Sequence, residues 1–255
     1  MEPVYQGVIG VARTLFAFQG LKIRLRGLDH VPRTGGAVMC INHTGYFDFT
    51  YAGLAGVEVG RLVRFMAKKS IWANPVAGPL MNGMHHIPVD REAGQESFER
   101  ALRALKDGEI VGVFPEATIS RSFELKEFKS GAVRLAQQAG VPVLPVTIWG
   151  SQRVWTKGHP RRMGRHGIPL FITVGAPLEV AAADDPAAAT ATVKAAMAAQ
   201  LEADQAAYPA WPDAEAHLLP TRLGGSAPTL EEADALDAAD RERRQRQAPQ
   251  GDSRG

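Results

Sequence analysis

The stretch Asn42-His43-Thr44-Gly45-Tyr46-Phe47-Asp48 sets an imidazole and a carboxylate apart with four residues between them. An imidazole titrates near neutral pH, so it can take a proton there. A carboxylate beside it can fix the ring's orientation and stabilise the imidazolium. Nothing nearby offers a competing nucleophile. His43 and Asp48 therefore read as a base and its orienter, acting on a proton of the substrate. Cys40 precedes the pair inside an apolar run, which makes it a buried small hydrophobe rather than an acyl carrier.

A pair that works this way must sit on something rigid. Ala37-Val38-Met39-Cys40-Ile41 reads as a buried strand ending just before His43, and Gly45 marks the turn after it. Apolar runs recur at Leu62 to Ala67, Ile87 to Val89, Ile110 to Phe114, Val143 to Ile148 and Leu170 to Val174. Helical patterns fall between most of them, the clearest at 95–106 and another at 130–139, each stopped by a glycine. Strands alternating with helices predict an α/β fold, a single domain with a largely parallel central sheet flanked by helices. Leu21 to Arg26 alternates apolar and basic residues and reads as a half-exposed edge strand. The expected organisation is an amphipathic helix over 1–20, an α/β domain over 21–180, a helical extension over 181–228 and a charged, mobile tail over 229–255. The alanine-rich stretch Ala181 to Ala206 supplies the extension's long helix.

At 255 residues the chain can bury a full core. One cysteine excludes an internal disulfide framework and gives no support to a zinc site. A reducing compartment is expected. The net charge of +2 hides an asymmetry: residues 1–180 carry +8 and residues 181–255 carry −6. The basic body suggests an anionic partner, phosphates or a lipid surface. No aromatic-interleaved platform or recognition motif points to nucleic acid. Val4 to Leu21 is broken by Gln6, Arg13, Thr14 and Gln19, so it does not read as a membrane span, and it lacks a cleavage site for a secretory signal. Wound as a helix, it places Val4, Val8, Val11, Leu15 and Phe18 on one stripe, with Tyr5, Ile9, Ala12 and Phe16 beside it. That pattern suits either a helix lying in a membrane surface or one packed on the core.

Further blocks fall at strand ends, where open α/β sheets bind ligands. They are Pro88-Val89-Asp90-Arg91, Phe114-Pro115-Glu116-Ala117-Thr118-Ile119-Ser120 with Arg121, Phe128-Lys129-Ser130-Gly131-Ala132, and Val141-Pro142-Val143-Leu144-Pro145-Val146. In this order, after Asn-His-x4-Asp, they resemble the glycerolipid acyltransferase family, in particular the 1-acylglycerol-3-phosphate (lysophosphatidic acid) acyltransferases. The resemblance runs from about residue 20 to 180. It implies transfer of an acyl chain from a thioester carrier, acyl-coenzyme A or acyl carrier protein, to a glycerol hydroxyl. It implies no cofactor and no metal. It places the enzyme at the cytoplasmic face of a membrane, bound peripherally. His43 would be the base and Asp48 its partner. Substrate contacts would come from Asn42, Arg91, Glu116, Thr118, Arg121, Lys129 and Gly131.

The chemistry is self-consistent. An alcohol attacks well only as its proton leaves, and a thiolate is a good leaving group, so neither a covalent acyl-enzyme nor a strong acid is demanded. The third block departs from the family's Phe-Pro-Glu-Gly-Thr-Arg-Ser, with Ala117 in place of glycine and Ile119 in place of arginine. Either Arg121 supplies the missing guanidinium or the acceptor is another lysophospholipid. His85 and His86 are adjacent, so on a strand at most one aims inward. The cluster Arg153, Lys157, Arg161, Arg162 and Arg165 reads as a solvated surface that could also meet anionic headgroups or coenzyme phosphates. An esterase of similar architecture would need a Gly-x-Ser-x-Gly elbow, which is absent. A non-catalytic lipid-binding protein is the other rival.

Overall fold

A computed structural model of the chain describes residues 2–90 and 94–247. Its strands are β1 (Lys22–Arg26), β2 (Ala37–Ile41), β3 (Val63–Lys68), β4 (Ile87–Val89), β5 (Ile110–Val113), β6 (Val143–Trp149) and β7 (Pro169–Val174). Its α-helices are α1 (Pro3–Gln19), α2 (Asp48–Val57), α3 (Ala77–Gly83), α4 (Gly94–Lys106), α5 (Gly131–Ala139), α6 (Pro186–Ala206) and α7 (Leu230–Gln247). The strands form one seven-stranded sheet in the order β1-β7-β6-β2-β5-β3-β4. Every neighbouring pair is parallel except β6 with β7.

The strand chemistry explains this order. All five residues of β2 are buried, as a central parallel strand covered on both faces requires. Its side chains alternate between two cores. Met39 and Ile41 pack with Tyr51 and Ala55 of α2, on the face that α1 also covers through Phe16. Val38 and Cys40 pack with Leu105 of α4, Leu135 of α5 and Met197 of α6 on the other. Burial pushes the Cys40 thiol well above its ordinary range, so it stays protonated. β1 lies at the sheet's edge, with its basic residues exposed and Ile23 and Leu25 half-buried. Charge on an edge strand discourages pairing with another chain.

Two helices differ from expectation. The alanine-rich helix begins at Pro186 rather than at 181, because the Asp185 side chain caps it by accepting from the Ala188 N–H at 2.9 Å. The expected mobile tail from 229 is helix α7 as far as Gln247, while 248–255 lie outside the described residues. Its sequence has too little apolar surface to announce a packed helix. What holds it is charge: Asp237, almost fully buried, accepts from Arg121, Lys126 and Lys157.

Gly112 on β5 faces the β3 side chains. A Cβ there would lie 2.5 Å from the Phe65 ring. Gly112→Ala is expected to destabilise the fold by about 1–3 kcal/mol through overpacking. Urea unfolding of Gly112→Ala should show it, and adding Phe65→Leu should recover part of the loss.

Candidate active site

The carboxyl ends of β2, β5, β3 and β4 point the same way, and the site lies there. β2 ends at Ile41 and α2 begins at Asp48, leaving a short connecting loop. Asp48 is fully buried in the first turn of α2, where the helix N-terminus favours a negative charge. Its Oδ2 accepts from the Thr44 N–H at 2.7 Å, the Gly45 N–H at 2.8 Å and His43 Nδ1 at 3.1 Å. A carboxylate can only accept, so Nδ1 carries the hydrogen, and in the neutral ring Nε2 carries the lone pair. The ring packs against Phe114, centroid to centroid 4.2 Å, and keeps a fifth of its side chain exposed.

That exposed part borders a cavity of about 690 Å³. Its walls are overwhelmingly apolar, built from α1, β3, α3, α4 and α5 through residues such as Val8, Phe65, Met81, Phe98 and Leu135. Polar groups are few, among them His43, His86, Ser97 and Lys129. An apolar cavity with an imidazole at its wall can hold a hydrocarbon chain beside a group able to exchange a proton.

The loop is held from outside as well. Thr44 shares a hydrogen bond with Ser151 at 3.0 Å, and the Thr156 hydroxyl donates to the Thr44 carbonyl at 2.6 Å. Gly45 suits this packing: a Cβ would crowd Ser151 Oγ at 3.0 Å and Asp48 Oδ1 at 3.2 Å. Ser151 and Thr156 were not legible as site residues, because nothing in sequence spacing links them to position 44. The Gly150-Ser151 step just past β6 is the only local signal, a turn at the same sheet end.

Several expected substrate contacts have other work. Both ends of the Asn42 amide bond the Ile148 backbone, at 2.7 and 3.1 Å, so Asn42 splices β2 to β6. Glu116 is buried and bridges two segments, accepting from the His43 N–H at 2.9 Å and the Lys126 N–H at 3.1 Å. Burial, with the Asp48 charge adding to it, pushes the Glu116 carboxyl up to about 8 against those two donors. Thr118 is half-buried and off the cavity wall, and Ile119 is buried. Arg121 is turned away from the cavity and is bound by Asp237 and Asp240. Lys129 and Gly131 do line the cavity. Arg91 lies outside the described residues. The basic cluster is less solvated than its sequence suggests: Arg153 is buried against Glu215 and Tyr208, and Arg162 also pairs with Glu215.

Of the two adjacent imidazoles, His86 is buried on the cavity wall and His85 is exposed. His86 Nδ1 accepts from the Phe65 N–H at 3.1 Å, so it has no lone pair to offer there. Burial, reinforced by the Arg64 charge, lowers its pKa from 6.5 to about 4. The unfolded chain therefore binds the proton first. Stability is full above pH 6.5, falls as pH drops towards 4 and flattens below, a loss of roughly 3 kcal/mol. Chemical unfolding across that window should show the slope, and His86→Asn, which keeps an acceptor for Phe65, should flatten it.

Ala117 has φ of 57°, a left-handed conformation. This explains why the family's pattern has glycine there: a Cβ is strained at such a φ. Ala117→Gly is expected to raise stability by about 1 kcal/mol, read as a shift in the urea midpoint.

A family profile described as acyltransferase matches residues 22–149. A 1-acyl-sn-glycerol-3-phosphate acyltransferase of Bacillus subtilis is 30% identical over 148 residues, covering 58% of this chain and 72% of that protein. The chloroplastic enzyme LPAT1 of Arabidopsis thaliana is 32% identical, with 59% of this chain and 42% of that protein covered. The human alpha enzyme of the same name is 30% identical, covering 56% of this chain and 50% of that protein. Among solved structures, the 1-acyl-sn-glycerophosphate (LPA) acyltransferase PlsC of Thermotoga maritima shares the fold, with a TM-score of 0.62 at 20% identity over 78% of this chain and 80% of that one.

Proposed function

This chain belongs to the acyltransferase family, and from that premise we propose that it moves a fatty acyl group from a thioester carrier to a hydroxyl of 1-acylglycerol-3-phosphate. The carrying observation is the His43–Asp48 pair at the wall of a large apolar cavity. The relatives' names supply the acceptor class. Acyl-coenzyme A is the donor proposed, with acyl carrier protein as the other thioester of the same chemistry.

In the proposed reaction the acceptor hydroxyl approaches His43 Nε2 and the carbonyl carbon together. The C–O bond forms as the O–H proton passes to Nε2. Asp48 holds the ring and stabilises the positive charge that develops. The tetrahedral intermediate collapses, the C–S bond breaks, and the thiolate takes the proton back from the imidazolium. The acyl chain lies in the apolar cavity, excluded from water. Lys129, exposed at the wall, offers the acceptor phosphate a cation. With Ile119 buried and Arg121 bound to α7, the third block presents no guanidinium on the cavity wall. That observation keeps a second acceptor in view, a lysophospholipid whose phosphate is a diester of lower charge.

The substrates are lipids, and the surface suits a membrane. Among the described residues, no helix is long and apolar enough to cross one. α1 buries Tyr5 and Phe16 inward, yet leaves Val4, Val11 and Phe18 exposed on a stripe of its outer side. Ile71, Val76 and Leu80, before and on α3, are exposed as well, and α1 touches α3 where Val4 meets Gly83. This apolar surface adjoins the cavity, so a chain could pass from bilayer to slot without crossing water. We place the enzyme on the cytoplasmic face, peripherally bound.

Thiol release from acyl-coenzyme A, followed with a panel of lysolipids, tests the reading. His43→Ala is expected to lower kcat about 10²–10⁴-fold with little change in KM. Full activity in that variant would remove His43 from the chemistry, and silence of the wild type towards every lysolipid would remove the acyltransferase reading itself.

A further inference from the structure

The surface covered by α7 is a cationic nest. Arg121 and Lys126 lie on the β5–α5 connection and Lys157 between β6 and β7, and all three reach one carboxylate, Asp237, at 3.1, 3.0 and 2.5 Å. Asp234 adds a contact to Lys126 at 2.6 Å, and Asp240 binds Arg121. The cations are only 15%, 12% and 14% exposed with the helix in place. Three like charges gathered this closely repel unless an anion sits among them. Here three carboxylates at spacing i, i+3, i+6 on one helix provide it.

Among the described residues, little else fastens that helix. Ala233 and Asp237 are its buried side chains, while Leu230 and Leu236 are 42% and 45% exposed. A helix docked by ion pairs, with so little apolar area, can be displaced by a competing anion.

The nest is wired to the catalytic loop. The Ser120 N–H, beside Arg121, donates to the His43 carbonyl at 2.7 Å. The Lys126 N–H bonds Glu116, whose other oxygen takes the His43 N–H. The Thr156 hydroxyl, beside Lys157, holds the Thr44 carbonyl. Each cation thus rides on, or next to, a residue one or two hydrogen bonds from the loop that carries the base.

We propose that Arg121, Lys126 and Lys157 form a phosphate-binding site, and that the acidic face of α7 occupies it as a built-in competitor. The ligand is a phosphate or diphosphate group with two or more charges. Two substrates of the reaction proposed above carry one, the coenzyme of the donor and the acceptor headgroup. That assignment of source rests on the acyltransferase reading; the binding itself does not.

The probe is inorganic pyrophosphate, with the full chain and an Asp234→Asn/Asp237→Asn/Asp240→Asn variant. Pyrophosphate at saturation should speed amide exchange over 230–243 in the wild type. The variant should bind it at least tenfold more tightly, and adding Arg121→Gln and Lys157→Gln should remove the gain. Unchanged exchange of α7 in the wild type, which needs no variant to fold, would overturn the proposal. So would a folded variant that binds pyrophosphate no better. In turnover assays the variant should show a several-fold lower KM for acyl-coenzyme A, assigning the nest to the donor, or for the lysolipid, assigning it to the acceptor. Unchanged KM for both would overturn the competitor role. An absence of turnover with any lysolipid would count against the acyltransferase reading alone and leave the pyrophosphate result standing.

Discussion

One buried oxygen organises the site. Asp48 Oδ2 takes three N–H donors from a loop that has no regular structure of its own. Two of these bonds close the loop over the start of α2, and the third sets the tautomer of His43. The helix N-terminus stabilises the carboxylate, and the absence of solvent strengthens each bond. Loop shape, ring orientation and the availability of Nε2 are therefore one feature. A side chain that could not accept three donors from a single direction would release all three together.

Around that oxygen the protein separates its polar and apolar work. The loop is braced from behind by polar groups: Glu116 on its amide side, Ser151 and Thr156 on its Thr44 side, and Asn42 tying the strand before it to β6. In front lies the apolar cavity, where His43 and Lys129 are among the few polar side chains on the wall. Keeping the bracing hydrogen bonds behind the loop leaves the cavity wall mostly apolar. His86 shows the same economy: its lone pair at Nδ1 is spent on the Phe65 backbone, and burial keeps it neutral on an apolar wall.

The sheet supplies the rigidity this arrangement needs. Parallel pairing of β2 with both β5 and β6 brings their carboxyl ends to one rim, so His43 meets Phe114 and Thr44 meets Ser151 although they are distant in sequence. The antiparallel β6–β7 pair turns the chain back and sets the edge at β1. α7 then closes the polar side of that rim by charge rather than by apolar packing.

The local structure was legible in the sequence because it is local. The buried run before His43, the His-x4-Asp spacing, the alternation of strands and helices and the charged edge strand all follow from side-chain type and period, which act over a few residues. Helix α1 was legible as a pattern with two apolar stripes, but which stripe met the core was decided by the partner, Phe16 packing on Tyr51 and leaving Phe18 outside. Positions 42, 116 and 121 were expected as substrate contacts; a motif shows that a polar residue is needed and not what else it bonds. Only tertiary structure assigned Asn42 to Ile148, Glu116 to the His43 amide and Arg121 to α7, because those partners lie 106, 73 and 116 or more residues away. For the same reason residues 230–247 looked like a charged tail: their stability comes from cations on other segments, and hydrophobic periodicity carries no trace of a bond made by charge across such a separation.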